Sequence, residues 1–241
     1  MRKEPSVTAA RFSQGRTFPE YLDYLGTEAN LRREGSDGGP RRDFSQFLRA
    51  RYEATSLTGA QVEALQWLAA RPQGPAKLLV IAEDWSSDCR RDVPTLARIA
   101  EAARLELRIF DRDGQRTSNA RPDLGAEPDA NLDLMGQFLN HKNGGVFQSI
   151  PVAAFFTRDL EYLYHYTEYP AIYHKDLLLG RLRTPRPAES PQEAQRRLSQ
   201  EFAEFQASPL FRVWASAAVD EIISGLHRRL ADWSIPPELG V

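Results

Sequence analysis

KLLVIAEDWSSDCRRDVP, residues 77–94, decides the fold. After its first residue the run Lys77–Ala82 is continuously apolar, the pattern of a central strand covered on both faces. Glu83-Asp84-Trp85 breaks the run. Ser86 or Ser87 can then cap a helix by accepting a hydrogen bond from an unpaired backbone N–H of its first turn. In that helix Cys89, Val93, Leu96, Ala97, Ala100 and Ala103 share one face at helical spacing. Cys89, the chain's single cysteine, therefore points toward the sheet near the positive end of the helix dipole. A helix N-terminus and basic neighbours such as Arg90 and Arg91 lower a thiol pKa from its ordinary ~8.5. Asp88, Asp92 and burial act the other way. Two readings stand side by side, a reactive thiol and an inert buried cysteine acting as a small hydrophobe.

Working outward, the chain has 241 residues and a formal net charge of -2. That is length enough for a sizeable core, in one domain or a domain with appendages. Near-neutral charge argues against a protein built for nucleic acid or an anionic membrane. A single cysteine forbids an internal disulfide framework and suits a reducing compartment. Met1–Pro5 starts basic with no apolar stretch behind it, unlike a secretory signal. The apolar runs near Leu78 and Val152 are too short to span a bilayer. These features lead us to expect a soluble, cytoplasmic protein.

Thr17-Phe18-Pro19-Glu20 opens a short helix. Gly35–Pro40 is a break, after which Asp43 caps a helix with Phe44, Phe47, Leu48 and Tyr52 on one stripe. Thr58–Gln61 is a capping-box pattern ahead of Val62, Leu65, Trp67 and Leu68. Beyond the central helix, Leu105–Phe110 alternates like a strand, and a helical connection makes it parallel to the first. Gly114–Asp129 is a polar loop. Asn131–His141 is predicted helical, ended by Gly144-Gly145. Val152–Phe156 and Leu160–Tyr166 form a hairpin through Thr157-Arg158-Asp159. In it, Tyr162, Tyr164 and Tyr166 share one face while Leu163 and His165 share the other. Residues 184–190 are a proline-rich linker. Ser190-Pro191-Gln192-Glu193 and Ser208-Pro209 open two further helices, expected to form a hairpin against the body or a partner chain.

Few other residues suggest chemistry. His141, His165, His174 and His227 are scattered and none pairs at metal-ligand spacing, so no metal site is expected. Asp111 and Asp113 are read as capping and turn residues, Glu83 and Asp84 as a solvated loop edge. Arg41, Arg42, Arg49 and Arg51 are read as a solvated face. The tyrosines from Tyr162 to Tyr173 serve equally as a binding face or as an amphipathic edge. No phosphate loop, nucleophile elbow or nucleic-acid motif is present.

Trp85-Ser86-Ser87-Asp88-Cys89, the helical Pro94, and Ile150-Pro151 ahead of Val152–Phe156 resemble the thioredoxin family. The likeness is to bacterial thioredoxin-like proteins with an Ala-Glu-Asp-Trp-Cys-x-Asp-Cys turn. It extends to the strand end Arg108–Asp113 and covers roughly residues 58–170. The resemblance implies an α/β thioredoxin-like fold, a central mixed sheet flanked by helices. Residues 1–57 would be an N-terminal helical extension, 58–183 the thioredoxin-like domain and 184–241 a C-terminal helical extension. It also implies that Ser86 and Cys89 hold the catalytic positions. Trp85, Ile150 and Pro151 would line the substrate groove, with the Ile150–Pro151 bond cis, no cofactor, and thiols or disulfides of proteins or small molecules as partners.

The sequence departs from that family at two points. Serine stands at position 86 where the family has its nucleophilic cysteine, and dithiol exchange needs two sulfurs, one to attack and one to resolve. Val80 and Ile81 stand where many thioredoxins bury an acidic group. A serine at 86 fits a protein naturally without dithiol activity, and it equally fits a Cys→Ser replacement that silences the site. Two functions follow as expectations: a protein of the thiol–disulfide oxidoreductase class unable to turn over as a dithiol, or a redox-inactive binding module.

Overall fold

The computed structural model of the chain describes residues 4–35, 39–117, 130–142 and 144–234. In chain order the elements are α1 (Ala9–Phe12), α2 (Phe18–Leu25), α3 (Glu28–Leu31), α4 (Ser45–Ala54), α5 (Gly59–Ala69), β1 (Lys77–Ala82), α6 (Ser87–Ala103) and β2 (Glu106–Asp111). Then come α7 (Leu132–Met135), β3 (Asn140–Lys142), β4 (Gly145–Phe147), β5 (Val152–Phe156), β6 (Tyr162–Thr167), α8 (Lys175–Arg183), α9 (Pro191–Ala207) and α10 (Pro209–Ser234).

The main sheet has the order β2-β1-β5-β6. β1 pairs parallel with β2 and antiparallel with β5, and β5 pairs antiparallel with β6. The apolar run of β1 is buried throughout after Lys77, as a strand with neighbours on both sides and layers on both faces must be. α6 covers one face with Val93, Leu96, Ile99 and Ala100, all buried. Ser86 is its cap and Arg104 ends it in the left-handed region, at φ 55°. The amino-terminal segment is tied to the sheet edge by paired backbone bonds between Arg16 and Ile109, at 2.9 and 2.7 Å. At the other end of the chain, α10 lies against β6, α5 and α6 and buries Phe211, Val219, Ile222 and Leu226. Gly225 allows that approach, since a Cβ there would sit 2.5 Å from the Tyr164 ring. One buried cluster runs from Phe12 through to Leu226.

Capping boxes form at Thr17, Thr58 and Ser190 with both reciprocal bonds. Asp43 accepts from Ser45 N–H at 2.8 Å, just outside the cap of α4. Four expectations need correction. The helix predicted over Asn131–His141 is the single turn α7, followed by the hairpin β3–β4. Buried Leu134, Met135 and Phe138 mimic helical spacing, but Gly144 at φ +73° folds the chain back and pairs Asn140 with Phe147. A helix, α8, occupies 175–183, where none was predicted. It has no side-chain cap and buries no side chain, so it left no pattern to read. Trp67 does not face the core but is half exposed beneath the Arg71 guanidinium, 3.5 Å from its ring centroid. In β6 a bulge opposite Phe155 and Phe156 skips Leu163 in the pairing. A bulge reverses the alternation, so Tyr164 and Tyr166 share a face while Tyr162 joins His165 on the other. The Tyr162 hydroxyl lies 2.5 Å from His165 Nδ1. Gly114–Asp129 and Gly35–Pro40 lie partly outside the described residues.

Candidate functional site

β1 ends at Ala82, and the next residues turn sharply into α6. Ser86 Oγ accepts from Cys89 N–H at 3.4 Å, the local cap that starts the helix. The Glu83 N–H points at Cys89 Sγ, also at 3.4 Å. Cys89 is 1% exposed. Burial pushes its pKa up to about 12, outweighing the Glu83 N–H and the Ser86 contact. Neither neighbouring arginine is given over to the thiol. Arg90 donates to the carbonyls of Asp84 and Trp85, and Arg91 is held by Asp88, Asp92 and the Glu168 carbonyl.

The Ile150–Pro151 bond is cis. Val152 pairs with Ile81, so Pro151 lies opposite Ala82 at the same end of the sheet as Glu83 and Cys89. The Pro151 carbonyl accepts from Glu168 N–H at 2.8 Å. Ile150 is buried. Trp85 is part-buried, with its indole N–H 3.2 Å from Asp113 Oδ2 and the Arg112 guanidinium over its ring.

The largest surprise lies beneath this turn. Glu83 and Asp84 are not a solvated edge, and Arg41 is not part of a solvated face. All three are buried, together with Arg33, Arg112 and Asp113. Arg33 Nη2 donates to Glu83 Oε1 at 2.8 Å and to the Asp113 carbonyl at 2.6 Å. Arg41 Nη1 bridges Glu83 Oε2 and Asp84 Oδ1, the latter at 3.0 Å. Asp113 N–H donates to Glu83 Oε1 at 2.6 Å, and Asn30 Nδ2 donates to Asp84 Oδ2 at 2.9 Å. Arg112 joins Asp113 Oδ1 to the carbonyl of Gln148, two residues before the cis bond's isoleucine. Asp111 and Asp113, expected to be capping and turn residues, are thus members of a buried ion network. Four carboxylates, Glu83, Asp84, Asp111 and Asp113, face the guanidinia of Arg16, Arg33, Arg41 and Arg112, the arrangement that lets charges sit away from water. Val80 and Ile81 are apolar as expected, yet Glu83 supplies a buried acid one turn from the thiol. Asn30, Arg33 and Arg41 escaped the sequence reading because they lie 42 to 54 positions from their partners.

Asp111 provides a pH test. It accepts from Arg16 at 3.0 Å, but burial and the Glu83 charge raise its pKa to about 6. The folded state therefore holds the proton more tightly than the unfolded chain. The resulting stabilisation is complete below the ordinary Asp value near ~3.9 and is lost as pH rises through about 6. Urea midpoints recorded from pH 4 to 7 should fall on this account, and Asp111→Asn should flatten that part of the profile. An unchanged slope in the variant would assign it to other groups.

No group of three His, Cys, Asp or Glu fit to hold a metal occurs among the described residues. No helix among them is long and apolar enough to cross a membrane. His165 lies in β6, and burial lowers its pKa.

A mixed sheet flanked by helices, with a strand–turn–helix carrying the cysteine and a cis-proline at the same sheet end, defines a thioredoxin-like fold. Residues 44–122 match the family model described as thioredoxin. A crystal structure of a protein of unknown function from Pseudomonas aeruginosa aligns with a TM-score of 0.50 at 17% identity, over 92% of this chain and 98% of that one. An HIV epitope-scaffold aligns with a TM-score of 0.46 at 14% identity, over 92% and 99% respectively. A comparison with curated proteins found no match. The chain contains a thioredoxin-like domain.

Proposed function

We propose that this is a thioredoxin-like protein of the thiol–disulfide oxidoreductase class that cannot turn over as a dithiol in this form. The observation that carries the reading is the pair at the start of α6, where Ser86 caps the backbone of Cys89 at the two positions such chemistry uses. Trp85, Ile150 and Pro151 would line the groove that receives a substrate. Its partners would be thiols or disulfides of proteins or small molecules, in a reducing cytoplasm. The closed-off sulfur favours a second reading, in which the same groove binds a peptide without redox chemistry.

Ser86→Cys separates the two. In the variant the introduced thiolate attacks a substrate disulfide and releases one substrate thiolate. Cys89, once deprotonated, displaces the second and closes an internal disulfide, which dithiothreitol reduces. An oxidoreductase framework predicts that insulin reduction rises at least about tenfold over the unaltered chain, ~1.4 kcal/mol of barrier. A well-folded variant that stays at background supports the binding module. Catalysed reduction by the unaltered chain would overturn the proposal.

A further inference from the structure

A second site lies away from the thiol, where α10 crosses the α4–α5 connection. A cavity of about 180 Å³ is lined there by Arg51 on α4, Thr55 and Ser56 after it, Arg91 on α6, and Arg212 and Ser216 on α10. It is smaller than the ~300–1,000 Å³ of pockets that take whole drug-sized ligands. Its charge is uncompensated. Arg91 spends its charge on Asp88 and Asp92. Arg51 and Arg212 have no ion pair or side-chain hydrogen bond among the described residues. Burial first, and the Arg212 charge second, push the Arg51 pKa down. On these elements Glu53, two residues after Arg51, is exposed, and Asp220 is engaged by Gln61 Nε2 at 2.8 Å. The Ser56 and Ser216 hydroxyls likewise make no hydrogen bond among the described residues.

Arg51 and Arg212 line one small cavity together with apolar Leu57, Phe211 and Val219 and the exposed hydroxyls of Ser56 and Ser216, and neither arginine has an ion pair among the described residues, the Arg51 guanidinium having only the Phe47 ring nearby. We propose that this cavity binds a phosphate group, free or carried by a small molecule, through Arg51 and Arg212 with Ser56 and Ser216 as added donors. Guanidinium forks suit tetrahedral oxyanions because they donate two parallel bonds, and two of them match a doubly charged group. The site is independent of the Ser86–Cys89 pair.

The test uses the full chain in inorganic phosphate, acetate or chloride at matched ionic strength and pH. Phosphate should raise the melting temperature saturably, as a ligand of the folded state does, and acetate should do so far less. Calorimetric titration should give a matching saturable heat. Arg51→Gln or Arg212→Gln should weaken phosphate binding at least about tenfold. In chloride each variant should melt no lower than the parent, because it removes a repelling neighbour. Ser216→Ala, at an exposed position, repeats the test with a smaller loss should an arginine variant fail to fold. A phosphate response that survives all three substitutions, or that acetate equals, overturns the proposal, as does the absence of saturable heat with the parent.

Discussion

Arg41→Met is expected to lower the free energy of unfolding by about 3–5 kcal/mol, the cost of leaving a buried charge without its partner. The Arg41 side chain is 1% exposed, and both carboxylates it serves are fully buried. Without it, Glu83 keeps Arg33 and the Asp113 N–H, while Asp84 keeps, among the described residues, only the Asn30 amide as a side-chain partner. Burial already raises the Asp84 pKa, and loss of the guanidinium would raise it further. A raised carboxylate favours the folded state at low pH and loses that advantage as pH rises. The deficit of the variant should therefore shrink on acidification from neutrality. Arg42→Met and Arg49→Met, at exposed positions, should change stability by no more than ~0.5 kcal/mol. Removing Glu83 together with Arg41 should cost less than the two single losses added, because the orphaned charge leaves with its partner. Urea unfolding of the parent and the five variants decides the matter. An Arg41→Met loss below about 1 kcal/mol would mean that water reaches this network and that its charges are not structurally required.

What the sequence disclosed divides along the distance between interacting groups. The strand–turn–helix at 77–94 was legible because its signals are local. The apolar run, the Ser86 cap and the apolar stripe of α6 are each complete within a few residues. The boxes at Thr58 and Ser190 were legible for the same reason, as each closes over three positions. Arg41 carried no such sign. Isolated arginines are read as solvated by default, and only the fold brings this one to Glu83, 42 positions away. The bulge in β6 is a tertiary fitting of one strand to another, so nothing in YLYHYT announces that Tyr162 changes face. α8 is held from outside, by Lys175 reaching Asp88 and Glu168 and by Arg197 on the Leu182 carbonyl. At the thiol, the opposed influences could be named from the sequence, but their balance could not. Burial decided it, and burial is a property of the folded chain.

Cys89 should therefore be nearly inert in the native protein. With its pKa at about 12, the thiolate fraction at pH 8 is roughly 10⁻⁴, against roughly 0.2 for a free thiol near 8.5. Ionisation alone slows alkylation by iodoacetamide about a thousandfold, since only the thiolate attacks. The 1% exposure adds a second barrier, because the reagent must await an opening of the first turn of α6. Unfolding in urea should restore the ordinary rate and so separate environment from chemistry. The native rate should climb with pH without levelling until near 12. The same imbalance acts on stability. Between about 8.5 and 10 the unfolded thiol ionises while the folded one keeps its proton, so stability should fall by roughly 1 kcal/mol per pH unit, more toward the upper end. Cys89→Ala should remove that fall while costing stability at neutral pH through the small cavity it leaves. Native alkylation at a free-thiol rate, or a rate plateau near pH 8, would show that the helix dipole prevails over burial and that position 89 holds a ready nucleophile.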